Sequence, residues 1–278
     1  MQLSLNGATT MKADLATDIR VADEAGFDCL ELWKPKLREF LKTSTAGQLK
    51  KMLAEHGIAP YSINSIERIT FRDNDGRAEL LAECEDLCRI ASEIGCPYVV
   101  VVPGRLRDGS TREEVVEESV MTLRELSRIA EPHRIGLAFE FLGQADCSVQ
   151  TLELADEIVQ KAARSNIGLV IDSFHFYAGG STIESIDALD AERLFIFHIN
   201  DAEELPREQL EDRHRLLPGL GILPLNEMLA AFHRIGYDRV ASVEIFRPEY
   251  WERDPLELAR DAFAAAEAVL KRGEPGAR

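Results

Sequence analysis

GLAFE at residues 136–140, GLVID at 168–172, LFIFH at 194–198 and VASVE at 240–244 carry the reading of this chain. Each is a short apolar run closed by a metal-binding type of side chain: Glu140, Asp172, His198 and Glu244. One such ending alone reads as a helix cap, an ion pair or a hydrogen-bonded core histidine. Four in succession, with helical stretches between them, are expected when strands deliver ligands to one common point. Three carboxylates and an imidazole make a hard, oxygen-rich donor set suited to one divalent ion such as Mn²⁺, Co²⁺, Zn²⁺ or Mg²⁺.

Outward from these four, similar runs recur at Leu3–Asn6, Cys29–Leu32, Pro60–Ile63 and Tyr98–Val102, which makes eight strands. Most are continuously apolar rather than alternating, as parallel strands covered on both sides are. Helical patterns separate them near 12–25, 46–56, 77–94, 111–131, 148–163, 224–235 and 255–272. Thr45 with Gln48, and Ser110 with Glu113, have capping-box spacing at two helix starts. Gly26, Gly57, Gly95 and Gly236 stand where a helix ends before a strand, positions that favour positive φ. A βα unit repeated eight times predicts the α/β class and a (β/α)₈ TIM barrel spanning residues 1–278 as one domain, with Lys271–Arg278 a frayed tail. A doubly wound open sheet is disfavoured, because no GxGxxG or GxxxxGK[ST] follows an early strand.

The chain has 278 residues, 45% of them hydrophobic, enough for a large core. Its formal charge of −17 argues against nucleic acid and anionic membranes as partners. No signal-peptide pattern opens it and no apolar run is bilayer-long. A cytoplasmic protein is expected, with room for a homo-oligomer. Five scattered cysteines without a CxxC pair do not make a disulfide framework.

In a barrel the active site gathers at the C-terminal ends of the strands, where the four candidates stand. The connection from Asp201 to about Pro224 is long for a βα loop and reads as a lid. Arg215 within it is a candidate for binding substrate oxygens, and His175, in DSFH, for bonding a substrate hydroxyl; loop stabilisation and a rim salt bridge are the competing roles. Asn6 and Asn64 end two strands and are further candidates to reach substrate. Trp33, with Tyr250 and Trp251, is a candidate wall for a sugar-sized pocket, and Arg247 a weaker anchor.

These segments also carry a resemblance. NGATT near the start, the block around Glu140, DSFHF after Ile171, FIFHINDAEELP around His198, RLLPGLG and SVEIFRPEYW around Glu244 resemble the xylose isomerase-like TIM-barrel superfamily of sugar isomerases and epimerases, and within it the inosose isomerases of inositol catabolism. The resemblance runs end to end. It implies that Glu140, Asp172, His198 and Glu244 hold the metal, and that Glu140 and Glu244 double as catalytic acid–base groups. It also implies that His175 and Arg215 face a small polyol, 2-keto-myo-inositol, whose carbonyl moves to the adjacent carbon to give 1-keto-D-chiro-inositol through an ene-diolate. Gly7 and Trp251 depart from the family's pattern, which has an acid and a Tyr-like residue there. The same metal chemistry serves a sugar or polyol epimerase, a hydroxypyruvate-type isomerase or an inosose dehydratase. A repair endonuclease needs a richer histidine set and a basic face. A non-catalytic polyol-binding barrel would keep the scaffold without the proton transfer.

Overall fold

A computed structural model describes Met1–Gly273. The strands of the barrel are β1 (Gln2–Asn6), β2 (Cys29–Trp33), β3 (Ala59–Ile66), β4 (Tyr98–Val101), β5 (Gly136–Glu140), β6 (Ile167–Asp172), β7 (Leu194–Ile199) and, after a two-stranded ribbon of β8 (Asp201–Ala202) and β9 (Arg215–Leu216), β10 (Val240–Val243). They close in the order β1-β10-β7-β6-β5-β4-β3-β2, every neighbouring pair parallel. This is the expected (β/α)₈ barrel.

The covering helices are α1 (Leu15–Ala25), α2 (Lys34–Phe40), α3 (Ala46–Glu55), α4 (Asn74–Ile94), α5 (Arg112–Ala130), α6 (Leu152–Ala162), α7 (Ser173–Ala178), α8 (Ile183–Asp187), α9 (Leu225–Ile235), α10 (Pro248–Trp251) and α11 (Pro255–Gly273). The short helices α2, α7, α8 and α10 lie outside the helical stretches expected above, being too brief to show a 3.6-residue period. The capping box at Thr45 and Gln48 forms as expected. The one assigned to Ser110 forms one residue later, between Thr111 and Glu114, because threonine there takes the extended N-cap conformation. Helix α11 runs through Lys271–Gly273, correcting the frayed start of the tail, since Leu229 packs against its last turn; residues 274–278 lie outside those described. All five cysteines are free and buried, and no described helix is long and apolar enough to cross a membrane.

Side chains alternate between the two faces of each strand. One face packs Leu137, Phe139, Leu169, Ile171 and Phe197 toward the helices in the main core. The other points into the barrel, where Val100, Ala138, Val170, Ile196 and Val240 form an apolar floor. Two residues further along the same strands, at the mouth, that inward face becomes polar: Glu140, Asp172, His198 and Ser242, with Asn6, Glu31 and Asn64 from β1–β3, all buried. The floor excludes water from beneath, and the mouth layer carries the chemistry.

Candidate metal centre

Barrel closure brings Glu140, Asp172, His198 and Glu244 together, with one donor atom from each lying within 4.8 Å of all the others. Glu140 ends β5, and Asp172 pairs in register with His198 across β6 and β7. Glu244 lies one residue past β10, where the chain leaves the barrel toward α10. His198 Nδ1 is 2.9 Å from Glu140 Oε1, 3.3 Å from Glu244 Oε2 and 3.9 Å from Asp172 Oδ2. It therefore faces all three carboxylates. Asp172 serves two purposes: Oδ1 caps α7 by accepting the His175 N–H at 2.9 Å, and Oδ2 faces the cluster.

The two glutamates sit in different surroundings. Glu244 Oε1 accepts from Asn6 Nδ2 (3.1 Å) and Asn64 Nδ2 (2.8 Å), and Oε2 from Arg215 Nη1 (3.1 Å). Burial by itself raises its pKa, but His198 and Arg215 outweigh burial and hold it below the usual carboxylate range. Glu140 has His198 as its hydrogen-bonding partner. Burial raises it most, His198 opposes, and repulsion from Glu244 and Asp172 adds, so it is pushed up to about 7. Burial works against a charged His198 too, yet Glu244, Glu31 and Glu140 together hold its pKa well above the ordinary imidazole value.

Of the two asparagines expected to reach substrate, Asn6 donates to both Glu244 and Glu31, and Asn64 donates to Glu244; the Asn6 carbonyl also accepts the Ala8 N–H. Arg215 is fully enclosed. Its Nη1 donates to Asp172 Oδ2 at 2.7 Å, Nη2 meets His175 Nε2 at 2.9 Å, and Asp212 accepts from Nε and Nη2. Since guanidinium only donates, His175 Nε2 is the accepting nitrogen and the ring proton sits on Nδ1. That N–H is buried and has no hydrogen-bond partner among the described residues, and burial keeps the ring neutral by lowering its pKa.

A cleft of about 320 Å³ opens over the cluster, with Trp33, Val102, Leu142 and Phe246 as apolar walls and His175 and Arg215 on its polar side. Trp33 meets Phe246 edge-on at 5.5 Å. A side chain on Gly7 would meet Asp18 Oδ2 at 3.0 Å and Trp33 Cβ at 3.1 Å, so glycine lets Trp33 take that place. Trp251 is not among the wall residues; its indole N–H donates to the Ala8 carbonyl and steadies the β1–α1 loop. Arg247 pairs with Glu203 at the rim.

The long connection after β7 is not structureless. The β8–β9 ribbon runs through it, and buried Asp201 accepts backbone N–H groups from Ala202, Gly219 and Leu223. That staple sets Arg215 in place. Sequence reasoning passed over three residues here. Asn200 donates to Asp172 Oδ2 at 2.9 Å, Gln144 to Asp212 at 3.2 Å, and Glu31 lies against His198. A signal existed for Glu31, an acid inside the apolar strand CLELW; for Asn200 and Gln144 none did.

Three carboxylates and a ring nitrogen aimed at one point form a donor set that fits a divalent cation. Their mutual repulsion, visible in Glu140, is what such an ion would relieve.

The family profile described as xylose isomerase-like TIM barrel matches residues 19–269. The chain belongs to that family. Among its relatives within the xylose isomerase-like barrels, an inosose isomerase of Bacillus velezensis is 38% identical over 98% of each chain. Another, of Bacillus subtilis, is 39% identical over 94% of this chain and 95% of its own. A crystal structure of an IOLI protein with a binding zinc atom superposes with a TM-score of 0.96 at 37% identity, covering 99% of both chains.

Proposed function

We propose that the chain is a divalent-metal-dependent inosose isomerase. It moves the carbonyl of 2-keto-myo-inositol to the neighbouring carbon, giving 1-keto-D-chiro-inositol. The observation that carries this reading is the meeting of Glu140, Asp172, His198 and Glu244 beneath one cleft, in a chain aligned end to end with inosose isomerases. The cleft volume falls in the range of small-molecule sites, about 300–1,000 Å³. The proposed ion is Zn²⁺, Mn²⁺, Co²⁺ or Mg²⁺, and zinc has precedent in the IOLI structure.

The chemical obstacle is the C–H beside a ketone, too weak an acid for a free carboxylate to ionise quickly. Glu140, Asp172, His198 and Glu244 would hold a divalent ion, which would supply Lewis acidity to the ketone. Glu140 and Glu244 are the acid–base pair. The proton leaves the carbon bearing the hydroxyl and returns to the former carbonyl carbon, while a second proton passes between the two oxygens. Asn6, Asn64 and Arg215 hold Glu244 ionised and fixed in direction; Glu140, whose carboxylate meets His198, is the less tightly held of the two. His175 stands on the polar side of the cleft, and its ring is assigned to a substrate oxygen on which charge develops. Trp33, Leu142 and Phe246 keep water from the reacting carbons. Four carboxylates (Glu31, Glu140, Asp172 and Glu244), set against Arg215 and a divalent ion, leave a formal charge of about −1, which favours neutral polyols over phosphorylated sugars.

Incubating 2-keto-myo-inositol with metal-loaded protein in D₂O, followed by NMR, tests this. The expected result is the isomeric inosose with deuterium at carbon; neither conversion nor exchange rejects the reading.

A further inference from the structure

Glu31 stands in the middle of β2, pointing into the barrel while Leu30 and Leu32 on either side face the helices. It is fully buried. Its register partners on the flanking strands are Asn6 and Ser62, and both donate to it: Asn6 Nδ2 to Oε1 at 3.3 Å and Ser62 Oγ to Oε2. The remaining contact of Oε1 is His198 Nε2, at 3.0 Å. That contact is an ion pair rather than a linear hydrogen bond, and among the described residues Nε2 has no hydrogen-bond partner.

The two nitrogens of His198 therefore face different groups. Nδ1 looks toward Glu140, Asp172 and Glu244, and Nε2 looks toward Glu31 alone. A carboxylate behind an imidazole keeps the ring proton on the nitrogen it touches and leaves the other lone pair for a cation, while making that lone pair more basic. We infer that Glu31 is a positioning residue for the metal centre, holding His198 in the tautomer and ring orientation that present Nδ1 to the cluster. This rests on the metal-dependent reading above and extends it behind the ligands. A buried carboxylate is costly unless matched by charge and donors. As core filling alone, a residue of similar size without charge would serve position 31 equally well.

Metal affinity and tautomer separate the two roles, and a melting temperature does not. In Glu31→Gln the side-chain size and one accepting oxygen remain, for Ser62 or for Asn6, but the charge behind His198 is gone. Competition with a chromophoric chelator should show Co²⁺ and Zn²⁺ bound about 10–100-fold more weakly than by the unaltered protein, the range ascribed to removing such partners. The Co²⁺ absorption bands should shift with the altered imidazole. The unaltered protein gives a second measurement that needs no variant. With ¹⁵N-histidine labelling and ¹¹³Cd²⁺ loading, one imidazole should couple to cadmium through Nδ1 and carry its proton on Nε2. Coupling through Nε2, or Glu31→Gln affinity within twofold with unchanged Co²⁺ bands, overturns the inference and leaves the metal reading standing. Absence of any metal binding by the unaltered protein overturns both.

Discussion

Loading the protein with metal should release protons in a number that changes with pH, and the site's electrostatics set how many. Glu140 is pushed up to about 7, so in the metal-free protein it is roughly nine-tenths protonated at pH 6 and roughly one-tenth at pH 8. His198 is held well above its ordinary value by the surrounding carboxylates, so it too gives up a proton when a cation binds. A cation needs both groups deprotonated toward it. Glu140 then contributes about 0.9 proton per ion at pH 6 and about 0.1 at pH 8, so release should fall by at least about 0.8 between them. Calorimetric titration of Zn²⁺ or Co²⁺ in buffers of different ionisation enthalpy measures it directly. The same linkage acts on stability. Glu140 binds its proton more tightly folded than unfolded, so its contribution to the metal-free protein is complete below about 4.5 and is lost as pH rises through about 7. The charged His198 acts in the same direction at higher pH. Metal should accordingly raise the melting temperature more at pH 8 than at pH 6. Equal proton release at the two pH values, or less than one proton at pH 6, would refute this account of the cluster.

Glu244→Gln should lower turnover of 2-keto-myo-inositol by at least about 10²–10⁴-fold, and near-normal kcat in the metal-loaded variant would remove Glu244 from the acid–base pair. Exhaustive chelation should abolish turnover and added Mn²⁺ or Co²⁺ restore it; full activity in the chelated protein would exclude metal chemistry. His175→Phe keeps the ring against Phe174 but removes the imidazole nitrogens, so kcat should fall by about 10²–10³ while metal affinity holds; an unchanged kcat contradicts the role given to His175. Asp201→Ala strips the acceptor from Gly219 and Leu223. Hydrogen bonds to a charged group are worth about 1.5–3 kcal/mol each, so a lower melting temperature with a raised KM is expected, and a KM unaffected by the loss would separate the staple from Arg215.

Much of this protein is legible before any coordinates. Period-two alternation is local, so each strand by itself declares which of its side chains point inward, and Glu140, Asp172, His198 and Glu244 share that inward face with the apolar floor. The helix ends are local as well, as Gly26 and Gly236 show with φ of 98° and 80°. Short elements were harder: α7 is fastened by Asp172, a residue whose other oxygen faces the cluster, so one side chain carried two signals.

Which inward side chains meet is another matter, because it depends on barrel closure and strand stagger, and these are properties of all eight strands together. Nothing local says that Asn6 and Asn64 turn their amides to Glu244, and 238 residues separate Asn6 from that partner. Nor does any spacing show that Glu31 backs His198, or that Arg215 crosses from the β8–β9 ribbon to bind two carboxylates and His175. The sequence by itself determined the barrel and the four side chains at its mouth, through patterns a few residues long. The tertiary structure alone decided how those four are charged, held and backed, since electrostatic energy in a buried site depends on distances between groups far apart along the chain.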